Sequence, residues 1–504
     1  MSEAAGTTTR RTRLSLEEKL LLGAIGYFVL LRLVFVFGAF PLADEPYYWL
    51  WGRHLALSYY DHPPLQGWLQ GLSYLVFGRS LFALRWMTIA AFIGIVWIIA
   101  LVTRRIAGDG WRPVFLRGVT AYLGAPLFGF FGTMAFHDYL LVFLVMASGY
   151  LFVRYFADIE EGLPGRLPHL LGAAVLLGLA ALTKYNGAFL GLAVAGTVLV
   201  RPRLRPLLLR WPIYGAAAIA IGLQAPVVLW NLEEGFASFA FQMGSRHGTT
   251  GFTGINISGM LAFTGEALLM VSPFLVPAIV LSFIEHRNSA FERIGKTLAI
   301  WAFWLSTLTC LYISNFSWVI WYWNIVAFVL VFPFVGRTLR GWLLWLHAGW
   351  GIVINTTLTV TFVVVPVLAL LGRPPAMESE RSYGLDGLVA AVTEARAKYD
   401  TDFIASNHYI TASQVAWLLD DPDIVELGPR RTAFDDWFDP ATRAGDDAIV
   451  IVEPSADTEA WKAAFARVTD LGEVRAERFG HLVNTYRLWL AEDFAPLDVP
   501  ASGP

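Results

Sequence analysis

Two adjacent carboxylates, Asp44 and Glu45, stand directly after an apolar stretch. The same segment continues to Tyr59, Tyr60, Asp61, His62, Pro63 and Pro64. Charge beside hydrocarbon is costly, so a carboxylate pair in that position marks a functional site. Such a group serves as a general base or orients a hydroxyl. The intervening Tyr47, Tyr48, Trp49 and Trp51 read instead as an interfacial aromatic belt. Further polar residues recur between apolar stretches: His137 with Asp138, Lys184 with Tyr185, and Arg246 with His247.

The elements that must position these residues are membrane spans. Of the 504 residues, 56% are hydrophobic and only 15% are charged, which marks a polytopic membrane protein. A net charge of −3 argues against a nucleic-acid partner. The single cysteine, Cys310, excludes an internal disulfide and a cysteine-based metal cluster. Apolar runs long enough to cross a bilayer fall at about 20–40, 81–103, 114–134, 138–157, 168–183, 186–200, 207–230, 258–283, 296–314, 319–335 and 341–371, eleven in all. Residues 1–16 are polar and read as a disordered cytoplasmic terminus ahead of an uncleaved first span. With that terminus inside, the terminus and the loops between spans carry eighteen Lys and Arg residues on the cytoplasmic side and four on the other, the positive-inside bias.

An odd number of spans leaves everything after the last one outside. Residues 372–384 form a polar, proline-containing linker. Residues 385–492 alternate helix-like and strand-like pieces, which predicts a small α/β domain with a mainly parallel sheet. In this reading GLVAAVTEARAKY, ITASQVAWLLD and TEAWKAAFARV are helices, while DFIAS, DIVEL, AIVIVE and LVNTYRLWL are strands. Residues 493–504 read as a disordered tail. The domain carries no glycine-rich phosphate loop.

This topology gathers Asp44, Glu45, Tyr59, Tyr60, Asp61, His62, His137, Asp138, Lys184, Tyr185, Arg246 and His247 on the outer face. Convergence from separate loops predicts one site at the outer membrane surface. Asp61, His62, His137 and His247 include residue types that ligate a divalent metal, although nothing in their spacing requires one.

The order of parts resembles the GT-C membrane glycosyltransferases of the protein O-mannosyltransferase and aminoarabinose transferase superfamily. The resemblance rests on DEPYYWLW…YYDHPPLQGWL, on HD before the fourth span, on LTKY near the fifth, and on VVLWN followed by SFAFQ…RHG. It covers nearly all of the membrane part, and RTAFDDWF resembles the outer domain of the same bacterial branch. It implies a catalytic acid at Asp44, with Glu45 beside it, and a second acid at Asp138. Where aminoarabinose transferases have an acidic–Lys–Pro segment, this chain has Asp61, His62 and Pro63. Neutral histidine is a weaker anion partner than lysine, so Lys184 and Arg246 are the better candidates for a lipid phosphate.

The implied activity is an inverting transfer at the outer face of a bacterial inner membrane. The implied donor is a polyprenyl-phosphate sugar, because nucleotide sugars are made in the cytoplasm and do not cross the bilayer. The implied acceptor is an envelope glycolipid, lipid A, a polysaccharide or a protein. A polysaccharide polymerase or ligase would share fold and donor. A flippase or transporter would place charges within the spans, where Arg32, Arg85, Arg117 and Glu266 lie. A non-enzymatic scaffold leaves the outer carboxylates unexplained.

Overall fold

A computed structural model describes residues 13–244, 246, 254–287, 289–370, 381–453 and 459–495. Helix α1, Leu16–Gly38, starts at a capping box in which the Ser15 hydroxyl accepts from the Glu18 amide and the Glu18 side chain returns to the Ser15 amide. What reads as a first outer loop is largely helical: α2 covers Asp44–Arg53 and α3 covers Leu65–Phe77. Helix α4, Leu81–Ala107, turns through a 3-10 segment at Gly108–Gly110 into Trp111–Gly124. Among the described residues, five helical runs are long and apolar enough to cross a membrane, and up to seven if each of two bent pairs counts as one span. One of those five, Leu81–Gly124, is 44 residues long, about twice what a single crossing needs.

Several expected spans are broken. The stretch expected at 114–134 ends as a helix at Gly124 and continues in short turns. The carbonyls those turns release are met by Arg32, which donates to the oxygens of Phe128, Gly129 and Gly132. The stretch at 319–335 is three short pieces, Trp321–Asn324, Ile325–Val329 and Phe332–Val335, and the last two are wholly buried. Irregular backbone at membrane depth is tolerated where protein surrounds it. In the stretch expected at 341–371, the helix Gly341–Val363 is followed by a separate turn, Val367–Leu370.

The outer domain has one five-stranded sheet in the order β2-β1-β3-β5-β4, made of β1 Phe403–Ser406, β2 Val425–Glu426, β3 Ala448–Val452, β4 Phe465–Arg478 and β5 His481–Phe494. The sheet is mixed, not mainly parallel: β1 pairs in parallel with β2 and β3, whereas β5 pairs antiparallel with β3 and β4. TEAWKAAFARV is not a helix. Its first part is a 3-10 turn, Glu459–Ala464, and its end opens β4, because a long antiparallel pairing with β5 overrides its helical propensity. Strand β5 also runs two residues past the expected domain end. At the other boundary Arg381 is buried in an ion pair with Glu453, 2.8 Å apart, so the end of the expected linker belongs to the domain.

Tyr47, Tyr48, Trp49 and Trp51 are not an interfacial belt. They are 0–4% exposed and join Leu385, Leu388, Val392 and Phe434 in one apolar cluster shared by α2 and the outer domain. The two parts are thus one packed unit.

Candidate functional site

Asp44 is the first residue of α2. Ala43 precedes it in a turn with φ +42°, a conformation costly for a residue with a Cβ. Asp44 lies at the seam between bundle and outer domain. Its Oδ1 accepts from the Tyr409 hydroxyl at 3.0 Å and its Oδ2 from Tyr48 at 3.4 Å. Burial raises the Asp44 pKa, and the bond from Tyr409 and the charge of Arg430 oppose that rise. A carboxylate so placed is more basic than one in water.

Its neighbour has a different place. Glu45 is completely buried. Arg85 donates to it twice, at 2.9 and 2.5 Å, and the amides of Leu42 and Ala135 donate at 2.9 and 2.7 Å. Four donors use up its acceptor capacity. Arg85 also caps the end of α1 by donating to the carbonyls of Phe35, Val36, Ala39 and Phe40. Glu45, expected beside Asp44 as a catalytic group, instead ties α1, α2, α4 and the turn before His137 together. Arg85 and Arg32 bond to the fold, and Arg117 pairs with Glu17.

Asp61 accepts from Tyr47 at 2.6 Å and from Arg430 at 2.5 Å. Asp138 sits in the first turn of helix His137–Glu160 and takes Lys184 on both oxygens, at 2.8 and 3.0 Å, with both side chains buried. The Lys184 ammonium lies 4.8 Å from the Tyr322 ring centre. The His62 and His137 rings are 4.5 Å apart, and His137 packs edge-on against Tyr48 at 4.2 Å. His62 Nδ1 and His137 Nε2 are buried with no hydrogen-bond partner among the described residues. Burial and then the neighbouring charges, Arg246, Lys184 and Arg430 among them, keep His62 well below the usual imidazole range, so it is neutral. Arg246 bonds to Gln242 at 3.0 Å and lies 4.7 Å from the Trp323 ring centre.

Other expected residues support the wall. Tyr59 stacks on Trp51 at 4.2 Å and donates to its carbonyl at 2.7 Å. Tyr60 packs on Phe241, and the Tyr185 hydroxyl bonds to that of Ser238 at 3.0 Å. His247 lies outside the described residues. Among the described residues no group of three or more His, Cys, Asp or Glu side chains is arranged to hold a metal ion.

Arg430 and Tyr409 were not singled out in the sequence. Both belong to the outer domain, and only the neighbouring RTAFDDWF segment drew attention to it. That segment bonds directly to α2: the Ala433 amide donates to the Tyr47 hydroxyl at 2.7 Å.

Several known proteins are similar to this chain. A model of the family described as dolichyl-phosphate-mannose-protein mannosyltransferase matches residues 61–230. The lipid A galacturonosyltransferase RgtD of Rhizobium johnstonii is 25% identical over 322 residues, 62% of this chain and 63% of that protein. The chain thus spans less than two thirds of the curated relative it matches. Among solved structures, ArnT from Cupriavidus metallidurans bound to undecaprenyl phosphate superimposes with a TM-score of 0.62 at 14% identity, over 94% of this chain and 98% of that one. Its apo form gives 0.58 over the same shares. The helical bundle and the small outer sheet domain thus share the fold of ArnT.

Proposed function

We propose that the chain is an inverting glycosyltransferase that moves a sugar from a polyprenyl-phosphate donor to an acceptor on the cell envelope. The observation that carries this reading is the polar cluster around Asp44 at the seam between bundle and outer domain. Lys184 and Arg246 stand near this carboxylate, and His62 Nδ1 and His137 Nε2 have no hydrogen-bond partner among the described residues. Breaking the bond to the anomeric carbon leaves negative charge on the lipid phosphate, and fixed cations stabilise that charge. Arg246 and Lys184 take this role, with Asp138 holding the lysine in place. Asp44 accepts the proton of the attacking hydroxyl. Attack from the face opposite the phosphate inverts the anomeric centre. His62 and His137 bond to sugar hydroxyls or to phosphate oxygen.

The acceptor in this reading is a glycolipid such as lipid A, or a polysaccharide. ArnT bound to undecaprenyl phosphate and the lipid A transferase RgtD support the donor and the glycolipid. The mannosyltransferase family match supports a protein acceptor as the second reading. Eleven crossings, a cytoplasmic N-terminus and an outer domain facing away from the cytoplasm at the inner membrane complete the proposal; the charge bias supports that orientation.

Mass spectrometry of envelope glycolipids from cells with and without the gene tests it. Loss of a sugar-sized increment, restored by the wild-type gene and not by Asp44→Asn, is the expected result. Identical profiles of glycolipid, polysaccharide and glycoprotein would overturn it.

A further inference from the structure

Arg430 reaches Asp61 from the outer domain, and it is not the sole tie between that domain and the bundle. The domain is already tied to the bundle by Tyr409 on Asp44, by the Ala433 amide on Tyr47, by Tyr383 on the Thr361 carbonyl at 2.7 Å, and by Gln414 on the Pro41 carbonyl at 3.3 Å. Only one terminal nitrogen of the Arg430 guanidinium bonds to Asp61. The side chain is half exposed, whereas that of Asp61 is 9% exposed. The guanidinium carbon lies 5.2 and 5.4 Å from the ring centres of Phe241 and Tyr409. Two rings and one carboxylate therefore fix the plane and leave N–H groups for a ligand. A guanidinium held this way matches the two oxygens of a carboxylate or phosphate.

The position is also informative. Tyr409, which flanks Arg430, bonds to Oδ1 of Asp44, whereas Oδ2 faces Tyr48, packed on His137. Lys184 is bound to Asp138 at the head of the His137 helix. Arg430 thus stands beside the reacting carboxylate but comes from a different element than the cations assigned to the donor phosphate.

We infer that Arg430 is a specificity residue that binds an oxyanion carried either by the transferred sugar, as a carboxylate, or by the acceptor, as a phosphate, with Asp61 orienting it. This inference rests on the glycosyltransferase reading above. Full-length protein in detergent would be tested by competition binding with four probes. Undecaprenyl-phosphate galacturonate against undecaprenyl-phosphate galactose contrasts a sugar carboxylate with a hydroxymethyl group. Diphosphoryl lipid A against its phosphatase-treated form contrasts a charged acceptor with a neutral one. The wild-type protein should prefer the anionic member of one pair by tenfold or more, and the pair that shows it identifies the source. Arg430→Gln should abolish that preference and Arg430→Lys restore part of it. Undecaprenyl phosphate itself should bind all three proteins within about twofold. No preference in either pair, or a preference that survives in Arg430→Gln, overturns the inference. Failure of wild-type protein to bind undecaprenyl phosphate would instead overturn the donor assignment beneath it. Equal weakening of both members of each pair would make Arg430 a structural tie and also overturn the inference.

Discussion

Tyr409 donates to Oδ1 of Asp44 across 365 positions of sequence, so the proposed base is completed by the outer domain. That bond favours the ionised carboxylate, whereas burial disfavours it. In Tyr409→Phe the Asp44 pKa rises further. The base is lost as pH falls through that value, so the acid limb of the pH–rate profile should move to higher pH while the rate at high pH is largely kept. An unmoved acid limb would separate Tyr409 from the titration of Asp44.

Asp44→Asn should keep the fold and both binding affinities while lowering transfer by ~10²–10⁴-fold, the usual contribution of a general base. Asparagine keeps the size and one acceptor oxygen but takes no proton at neutral pH. Single-turnover rates with saturating donor provide the check. A near-normal rate would mean that the acceptor brings its own ionised group.

Glu45→Gln tests the opposite role. Glu45 is bound by four donors and is fully enclosed. Removing one charge of a buried pair leaves Arg85 uncompensated and costs about 3–5 kcal/mol. Thermal unfolding in detergent should show a markedly lower midpoint. A variant that unfolds like wild type yet transfers no sugar would return Glu45 to the chemistry.

Arg246→Ala should weaken undecaprenyl phosphate binding about ten- to hundredfold, the range for losing a charge-assisted contact. Lys184→Ala should do the same and also destabilise the protein, because Asp138 then remains buried without its partner. Unchanged affinity in Arg246→Ala would move the phosphate toward Arg53 or His62.

Orientation has its own test. An alkaline phosphatase fusion after residue 380 should be active and one after residue 205 inactive. The reverse pattern would place the site on the cytoplasmic side.

The sequence made the polar convergence legible because charge stands out against hydrocarbon. Asp44, Asp61, His62, His137, Asp138, Lys184 and Arg246 lie close enough to act on one another's charges. It did not separate Asp44 from Glu45, since adjacent carboxylates look alike until the structure gives one to Tyr409 and the other to Arg85. The aromatic run was misjudged for a similar reason: Tyr and Trp suit a lipid interface and a domain interface equally. The outer sheet was read as mainly parallel because β4 hides in an alternating segment with helical composition. Arg430 was invisible because an arginine on a soluble domain carries no local signal of what it touches.

The shared cluster beneath the outer domain limits how such proteins recombine. Positions 44 and 409, 47 and 433, and 61 and 430 form three contacts across the seam. An exchanged outer domain keeps a backbone amide at position 433 but inherits neither Tyr409 nor Arg430 by default. A chimera joining this bundle to a relative's outer domain would leave Asp44 with Tyr48 and Asp61 with Tyr47 as their remaining side-chain donors. The two parts are therefore heritable only as a pair, and substitutions on one side of the seam should be matched by compensating ones on the other.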